Sequence, residues 1–320
     1  MESTARQPRR SPSTGFAAAL ILAIGIALSL ASAYIAHKEL QRDAEGAFLS
    51  DARDLARAIE NETTAYEEVL TGLGSFMSAS RNVSAQEFRH YVEGLQLTKR
   101  FLGFQNLNYA EQAGEQHIIR FIEPLERNRL FLGRDIAPLP GPREGLAQAR
   151  DTGKALTSGR LIRPRGEAHI GLAIRLAVYD QKLPIGTVDE RRAAYRGTVG
   201  AGYRPVDLVR LVLESGRFDN LRFRMHDVGA VNEPANSAPP SDERLLLDSA
   251  QLGIAPLTES AHHQTSIRFP VSGRIWQLAV SAPQRVDGLA TRLLPLLTLV
   301  LGVSASLLLF ALVRLSLIHI

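Results

Sequence analysis

Two long blocks without a charged residue, one near each end of the chain, constrain this sequence more than any other feature. Residues 15–36 and 293–313 contain no Asp, Glu, Lys or Arg. A helix rises about 1.5 Å per residue, so each block spans roughly 30 Å, the thickness of a bilayer's hydrocarbon core. The sequence therefore predicts two transmembrane helices, over 15–36 and 293–313, that bracket a long intervening segment.

The arginines beside these blocks predict the orientation of the chain. Arg6, Arg9 and Arg10 precede the first block, and Arg314 follows the second. Positively charged residues favour the cytoplasmic side of a membrane. The expected arrangement in an inner (plasma) membrane is a cytoplasmic N-terminus at 1–14, an extracytoplasmic segment at 37–292 and a cytoplasmic tail at 314–320.

A cleaved signal peptide is the alternative for the first block. Ala31-Ser32-Ala33 fits the small-residue cleavage pattern. The apolar run is, however, longer than the apolar region of a usual signal peptide. Cleavage would leave the middle of the chain outside and anchored by the second helix.

Composition excludes several classes of protein. The net charge of +4 comes largely from the four terminal arginines, which leaves the middle nearly neutral and argues against a nucleic-acid partner. There is no cysteine, which excludes disulfides, thiol catalysis and cysteine-ligated metal sites. An extracytoplasmic domain without disulfides must depend on a hydrophobic core.

A long helical stalk is predicted over residues 37–95. From Leu40 to Met77 the apolar residues recur every three or four positions without a proline. This spacing fits a coiled-coil seam between two protomers, and equally a helix laid along its own globular domain. Ser84 and Glu87 form a capping-box signature that opens a second helix through Leu95.

Beyond residue 96 the pattern changes to short strands. Predicted strands cover 101–110, 117–124, 156–162, 170–179, 195–203, 221–228, 266–271 and 274–281, and predicted helices cover 143–152 and 206–213. Residues 184–189 are predicted as a loop, Gly153 as a left-handed helix end, and Ser272-Gly273 as a hairpin turn. The order of elements favours an α+β fold with two small antiparallel sheets.

A series of short motifs resembles the CHASE domain, the extracytoplasmic sensor of many bacterial and plant membrane receptors. The motifs are Phe121-Ile122-Glu123-Pro124, Arg127-Asn128-Arg129, Leu132-Gly133-Arg134-Asp135, residues 143–153, Ser158-Gly159, Ala177-Val178-Tyr179, Arg191-Arg192 and residues 197–204. The similarity in order and spacing covers about residues 60–215.

The resemblance implies a long stalk helix followed by two tandem PAS-like domains. Residues 96–204 would form the membrane-distal, ligand-binding domain, and 205–290 the membrane-proximal one. It implies a small-molecule ligand and no cofactor. The matching pocket positions are Asp135, whose carboxylate would hydrogen-bond the ligand, together with Tyr109, Leu156 and Tyr179.

For several residues a purely structural role, without contact to a ligand or metal, stays open as the alternative. Asp135 could instead cap a nearby backbone N–H in a loop. Arg163, Arg165 and Arg175 could meet an anionic ligand or form a solvated face. His262-His263 is typical of a loop, because no carboxylate or cysteine stands at metal-ligand spacing beside it.

These observations predict the sensory input module of a membrane receptor, with an unidentified small-molecule ligand, the lipid bilayer and a second copy of the chain as partners. The sequence has no Gly-x-Ser-x-Gly, P-loop or His-Glu-x-x-His motif, which argues against an enzyme such as a hydrolase. We expect the output domain, a histidine kinase or diguanylate cyclase, to lie beyond a truncated tail at 314–320. The alternative is a surface protein for ligand capture or adhesion.

Overall fold

The computed structural model describes residues 12–80, 82–101, 103–138, 142–157, 159, 170–232, 241–257, 263–282 and 289–316. Its helices are α1 (Pro12–Ala79), α2 (Ala85–Gly94), α3 (Leu97–Arg100), α4 (Leu125–Asn128), α5 (Pro142–Thr152), α6 (Val188–Ala194), α7 (Pro205–Leu213) and α8 (Leu289–Ser316). Its strands are β1 (Phe104–Ala113), β2 (Gln116–Glu123), β3 (Leu156–Thr157), β4 (Leu172–Tyr179), β5 (Tyr195–Tyr203), β6 (Arg222–Ala230), β7 (Leu245–Asp248), β8 (His263–Val271) and β9 (Arg274–Ala282).

The chain divides into two compact units. One comprises residues 1–48 with 284–320, and the other comprises residues 49–283. Helix α1 runs without interruption through the predicted first transmembrane segment and the stalk, as its helical spacing and lack of an internal proline predicted.

The two helices that are long and apolar enough to cross a membrane are α1 and α8, and the first unit contains the N-terminal part of α1 together with α8. They approach each other through small residues: a side chain added at Gly25 would meet Ser306, and one added at Gly302 would meet Ser29. Each serine hydroxyl donates back to the carbonyl of the glycine four residues earlier in its own helix, at 2.7 Å. Small residues at such crossings allow the two backbones to pack closely.

In the second unit the C-terminal half of α1 packs on its own domain. Leu55, Ile59 and Leu73 are fully buried. Tyr66 stacks on Phe104 with ring centroids 4.1 Å apart. Burial within the chain therefore accounts for the apolar stripe of the stalk, as the second of its two interpretations expected.

The first sheet has the strand order β2-β1-β5-β4-β3, with antiparallel pairing between neighbours. Its α1-facing side lies close to the helix: a Cβ at Gly74 of α1 would be in van der Waals contact, 3.4 Å from Leu176 and 3.6 Å from Val199. Helix α5 contacts β4 and β3.

The second sheet has the order β7-β6-β9-β8, also antiparallel. Its core includes Trp276, Phe223 and Leu278, all fully buried. The predicted α+β class with two small antiparallel sheets is confirmed. The hairpin turn at Ser272-Gly273 is also confirmed, with φ of +46° and +79°.

Four elements were not predicted from the sequence: the four-residue helices α3 and α4, helix α6 and strand β7. Helix α6 begins within the predicted loop at 184–189 and is opened by a capping box between Thr187 and Glu190. It is short and polar, so it lacks an apolar repeat. Strand β7 is only four residues long. The predicted strand at 156–162 is seen as β3, while residues 158 and 160–162 lie outside the described part of the chain.

Candidate ligand-binding cavity

A cavity of about 450 Å³ lies on the face of the first sheet opposite α1. Pairing between strands places alternate residues on this face, because side chains along a strand point to opposite sides. β1 contributes Asn106 and Asn108, β4 contributes Ala173 and Arg175, and β5 contributes Gly202. The volume is within the range of ordinary small-molecule pockets, about 300–1,000 Å³.

Two glycines in the central strand β5 make room for the polar side chains of the neighbouring strands, which form the floor of the cavity. A Cβ at Gly200 would lie 2.9 Å from the guanidinium carbon of Arg175 and 3.2 Å from Asn108 Oδ1. A Cβ at Gly202 would lie 2.9 Å from Asn106 Nδ2. The absence of side chains at these positions therefore lets the neighbouring polar side chains lie across the middle of the sheet.

The floor is a chain of hydrogen bonds. Arg175 Nη1 donates to Asn108 Oδ1 at 2.9 Å, and Asn108 Nδ2 donates to Asn106 Oδ1 at 2.8 Å. Asn106 Nδ2 reaches Asn128 Oδ1 at 3.4 Å. Asn128 in turn donates to the carbonyl of Pro124 at 2.9 Å. The chain holds each amide in one orientation and presents polar groups along the cavity.

Burial acts strongly on the Arg175 side chain. It lowers the pKa of the guanidinium to about 10, and the phenol of Tyr195 opposes this shift. At neutral pH the group still carries its charge. The floor of the cavity is therefore cationic at this point.

The walls are aliphatic. Ile119, Ile122, Ile136 and Leu146 belong to one buried cluster and line the cavity. Leu156 of β3 closes another side. Apolar walls with a few fixed polar groups are the usual composition of a small-molecule site.

Of the four predicted ligand residues, Leu156 lines this cavity. Tyr109 lies on the opposite face of the sheet, where it pairs with Val199 and its hydroxyl donates to the carbonyl of Arg196 at 3.3 Å. Tyr179 shares the cavity face of β4, but its hydroxyl donates to the carbonyl of Arg150 in α5. For these two tyrosines, contact with a ligand stays a prediction.

Asp135 holds a loop against the edge of the sheet. Its Oδ1 accepts the backbone N–H of His117 at 2.9 Å and that of Ala137 at 3.0 Å. The adjacent backbone pairs with β2, since Ile136 N–H donates to the carbonyl of His117 at 3.0 Å. This arrangement corresponds to the capping interpretation of Asp135, and it fixes Ile136 in the cavity wall.

Of the three amides of the floor, Asn106 and Asn108 were missed in the sequence, and Arg175 was named only among three arginines. The available signal was alternation: Asn106 and Asn108 in β1, and Gly200 and Gly202 in β5, stand two residues apart. Arg163, Arg165 and His262 lie outside the described residues. Within the described part of the chain, no group of three or more His, Asp or Glu could hold a metal ion.

The cavity wall is joined directly to the second sheet. The N–H of Thr157, next to Leu156, donates to the carbonyl of Ser272 at 2.9 Å. A side chain added at Gly273 would collide with Leu156. The hydroxyl of Ser272 donates to Glu67 Oε1 of α1 at 2.7 Å. The β8–β9 turn therefore contacts both the cavity wall and the stalk.

A buried ion pair fixes the base of the same turn. Arg274 Nη2 and Nε donate to Asp227 Oδ1 and Oδ2 at 2.8 and 2.9 Å. Val231 N–H donates to the carbonyl of Gly273 at 3.0 Å. The turn is thus held rigidly to β6 at the point where it meets the first sheet.

Comparison with solved structures gives matches at low sequence identity and with TM-scores under 0.5. An extracellular ligand binding receptor from Desulfohalobium retbaense is 13% identical with a TM-score of 0.49, over 73% of this chain but only 40% of that one. The GABA-bound ligand binding domain of the Pseudomonas aeruginosa amino acid chemoreceptor PctC is 14% identical with a TM-score of 0.44, over 74% of this chain and 99% of that one. Methyl-accepting chemotaxis protein X is 14% identical with a TM-score of 0.45, over 76% and 100%.

Comparison at the level of sequence gives one family and no individual protein. No curated protein matches the chain. Residues 111–238 match the family described as the CHASE domain. This segment runs from the end of β1 through β6 and includes most of the motifs on which the resemblance was based. The match confirms that residues 111–238 of this chain resemble the CHASE domain.

Proposed function

We propose that this chain is the extracytoplasmic sensory input module of a membrane receptor and that it binds a small molecule in the cavity of the first sheet. The observation that carries the proposal is the cavity itself, with its ordered polar floor and aliphatic walls, most of whose lining residues lie in the CHASE segment. Its chemistry is that of binding, so the chain would act by changing conformation and not by catalysis.

In this proposal α1 and α8 cross the membrane and both termini are cytoplasmic. The two helices have the length and composition for spanning. Arg6, Arg9, Arg10 and Arg314 flank the apolar segments in the way that the positive-inside rule expects for cytoplasmic ends. Residues 96–204 would then form the membrane-distal domain and 205–290 the membrane-proximal one.

The β8–β9 turn would transmit the state of the cavity. Leu156 and Thr157 connect the cavity wall to this turn, and Ser272 connects the turn to Glu67 of the stalk. A ligand can shift the equilibrium between two stalk arrangements only by its difference in affinity for them. A homodimer through the exposed stalk surface would carry the shift to a cytoplasmic output domain in the full receptor.

A thermal-shift screen of the full chain in detergent micelles tests this function. The panel would contain purines, amino acids, organic acids and aromatic metabolites, because a ligand of the folded state raises the melting temperature by mass action. Ala173→Leu fills the cavity from the start of β4, whereas Ala279→Leu adds the same group to a partly exposed alanine in β9.

We expect at least one compound to stabilise the native chain and Ala279→Leu, and to lose its effect on Ala173→Leu. Compounds that stabilise both variants equally would bind outside the cavity. That result would contradict the proposal and favour a surface protein for capture or adhesion.

A further inference from the structure

Charge is distributed unevenly around the cavity. Among the described residues that line it are three arginines, Arg127, Arg175 and Arg204, and no Asp or Glu. A cavity lined by one sign of charge concentrates ligands of the opposite sign. The lining is therefore suited to an anion.

The arginines differ in what neutralises them. Arg204 has a carboxylate partner, with its Nε 3.0 Å from Asp207 Oδ2, and also donates to Gln105 Oε1 at 2.8 Å. Arg127 is exposed. Arg175 is partly buried, and the only hydrogen bond from its guanidinium within the described residues goes to the neutral amide of Asn108.

Enclosing a guanidinium without a carboxylate is costly, because the charge loses its hydration and gains no counter-charge. Asn108 takes one of the five N–H donors of the arginine. The other donors of the planar fork match the two oxygens of a carboxylate. Gly200 makes room for the guanidinium on the sheet, because a Cβ there would lie 2.9 Å from the guanidinium carbon.

Resting on the proposed function, we infer that the ligand carries a carboxylate, which binds Arg175 on the cavity floor, while its apolar body packs against the isoleucine and leucine walls. Asn106 and Asn108 would orient the same end of the ligand through their amides. The ligand class is thus a small organic acid with an aliphatic or aromatic body.

Matched pairs of acids and amides test the charge directly. Hexanoate with hexanamide, and phenylacetate with phenylacetamide, have nearly the same shape and differ in ionisation. Each would be titrated into the full chain in detergent, by calorimetry and thermal shift. The acids are expected to bind at least about tenfold more tightly than their amides, since a hydrogen bond to a charged group is the stronger one.

Variants of Arg175 provide a second test, of whether its charge is needed for acid binding. Arg175→Gln should weaken acid binding at least about tenfold, and Arg175→Lys should weaken it less because the charge is kept. Arg268→Gln is the matched control: Arg268 also lies on a strand and donates to an amide oxygen, that of Gln277 at 2.9 Å, but is exposed on the second sheet. It should bind the acids like the native chain.

The outcomes separate the two proposals. Equal binding of acids and amides would contradict the inference that the ligand carries a carboxylate. Undiminished acid binding by a folded Arg175→Gln chain would also contradict it. A third outcome is that the acids do not bind, while a neutral compound of the panel binds the native chain and not Ala173→Leu. This would contradict a carboxylate ligand but support small-molecule binding in the cavity. No binding by any compound counts against both. The acid–amide comparison on the native chain decides the question even if Arg175→Gln does not fold.

Discussion

The backbone N–H of Thr157 donates to the carbonyl of Ser272 at 2.9 Å and joins an edge strand of the first sheet to the hairpin turn of the second. Leu156, the preceding residue, lines the cavity and contacts Gly273 of the same turn. The wall of the cavity and the second sheet are therefore in direct contact through two adjacent residues on each side.

Gly273→Ala tests how tightly this contact is packed. Gly273 has a φ of +79°, and a side chain there would also collide with Leu156. Gly114 is the matched control, because its φ is +65° in the β1–β2 turn and nothing lies within 4 Å of an added Cβ. Both substitutions carry a backbone cost of about 1–2 kcal/mol.

We expect Gly273→Ala to lower the free energy of unfolding further than Gly114→Ala, by about 1 kcal/mol or more, because of the overpacking. Denaturant unfolding of the full chain in detergent, followed by the fluorescence of Trp276, the single tryptophan, measures the difference. Equal losses for the two variants would mean that Leu156 is not packed on the turn.

Asp135→Ala should destabilise the chain by about 1–2 kcal/mol, because two backbone N–H groups, of His117 and Ala137, lose their acceptor. Asp135→Asn keeps an oxygen for those donors and should retain most of the stability. Thermal unfolding of both variants measures this. If Asn costs as much as Ala, the negative charge itself is required, and the role of Asp135 as a cap is contradicted.

Stability should fall as the pH is lowered below about 6.5. Burial lowers the pKa of His117 and of His226 below the ordinary value of 6.5. Both Nδ1 atoms are buried without a hydrogen-bond partner among the described residues. The unfolded chain therefore binds protons first, and the stability that the neutral rings provide above pH 6.5 is lost as the pH falls through their folded pKa values.

A His117→Gln/His226→Gln double variant isolates this effect. Melting temperatures of the native chain and the variant, measured between pH 7.5 and 5, should converge as the pH falls. Parallel curves would show that the two histidines do not cause the decline.

The contact between the two apolar helices can be tested by cross-linking. The chain has no cysteine, and a Cβ at Gly302 would lie 2.8 Å from Ser29 Cβ. Ser29→Cys/Gly302→Cys should therefore form a disulfide on oxidation in membranes, and Gly25→Leu should reduce its yield by holding the helices apart.

Leu20→Cys/Leu308→Cys serves as the control pair, because both leucines are exposed, at 50% and 67%. A disulfide in the control with equal yield would indicate random collision, and would contradict the specific crossing at Gly25 and Gly302.

Features fixed by local sequence were predicted well. The uninterrupted helical spacing through Met77 predicted the stalk helix. Ser84 and Glu87 predicted the start of α2, and both hydrogen bonds of their capping box are present. Gly153 ends α5 with a φ of +69°, as expected. Each of these depends on residues within one or two turns of each other.

The site depends on contacts between distant parts of the chain and was predicted less well. Asn108 and Arg175 are 67 residues apart, and they meet only because β5 pairs with both β1 and β4. The sequence around Tyr109 does not show to which face of β1 its side chain points. A shift of one position along a strand moves a side chain to the opposite face. Family-like spacing therefore pointed to the sheet that contains the cavity, but it could not show on which face of a strand each side chain lies.

Hydrogen–deuterium exchange of the full chain, with and without the compound that gives the largest thermal shift, tests the central claim most directly. A ligand that occupies the cavity and is coupled to the turn should slow exchange at Thr157 and at the turn amides of residues 271–274, and Ala173→Leu should abolish both effects. Protection confined to the second sheet, with the amides of β1, β4 and Thr157 unchanged, would contradict the account.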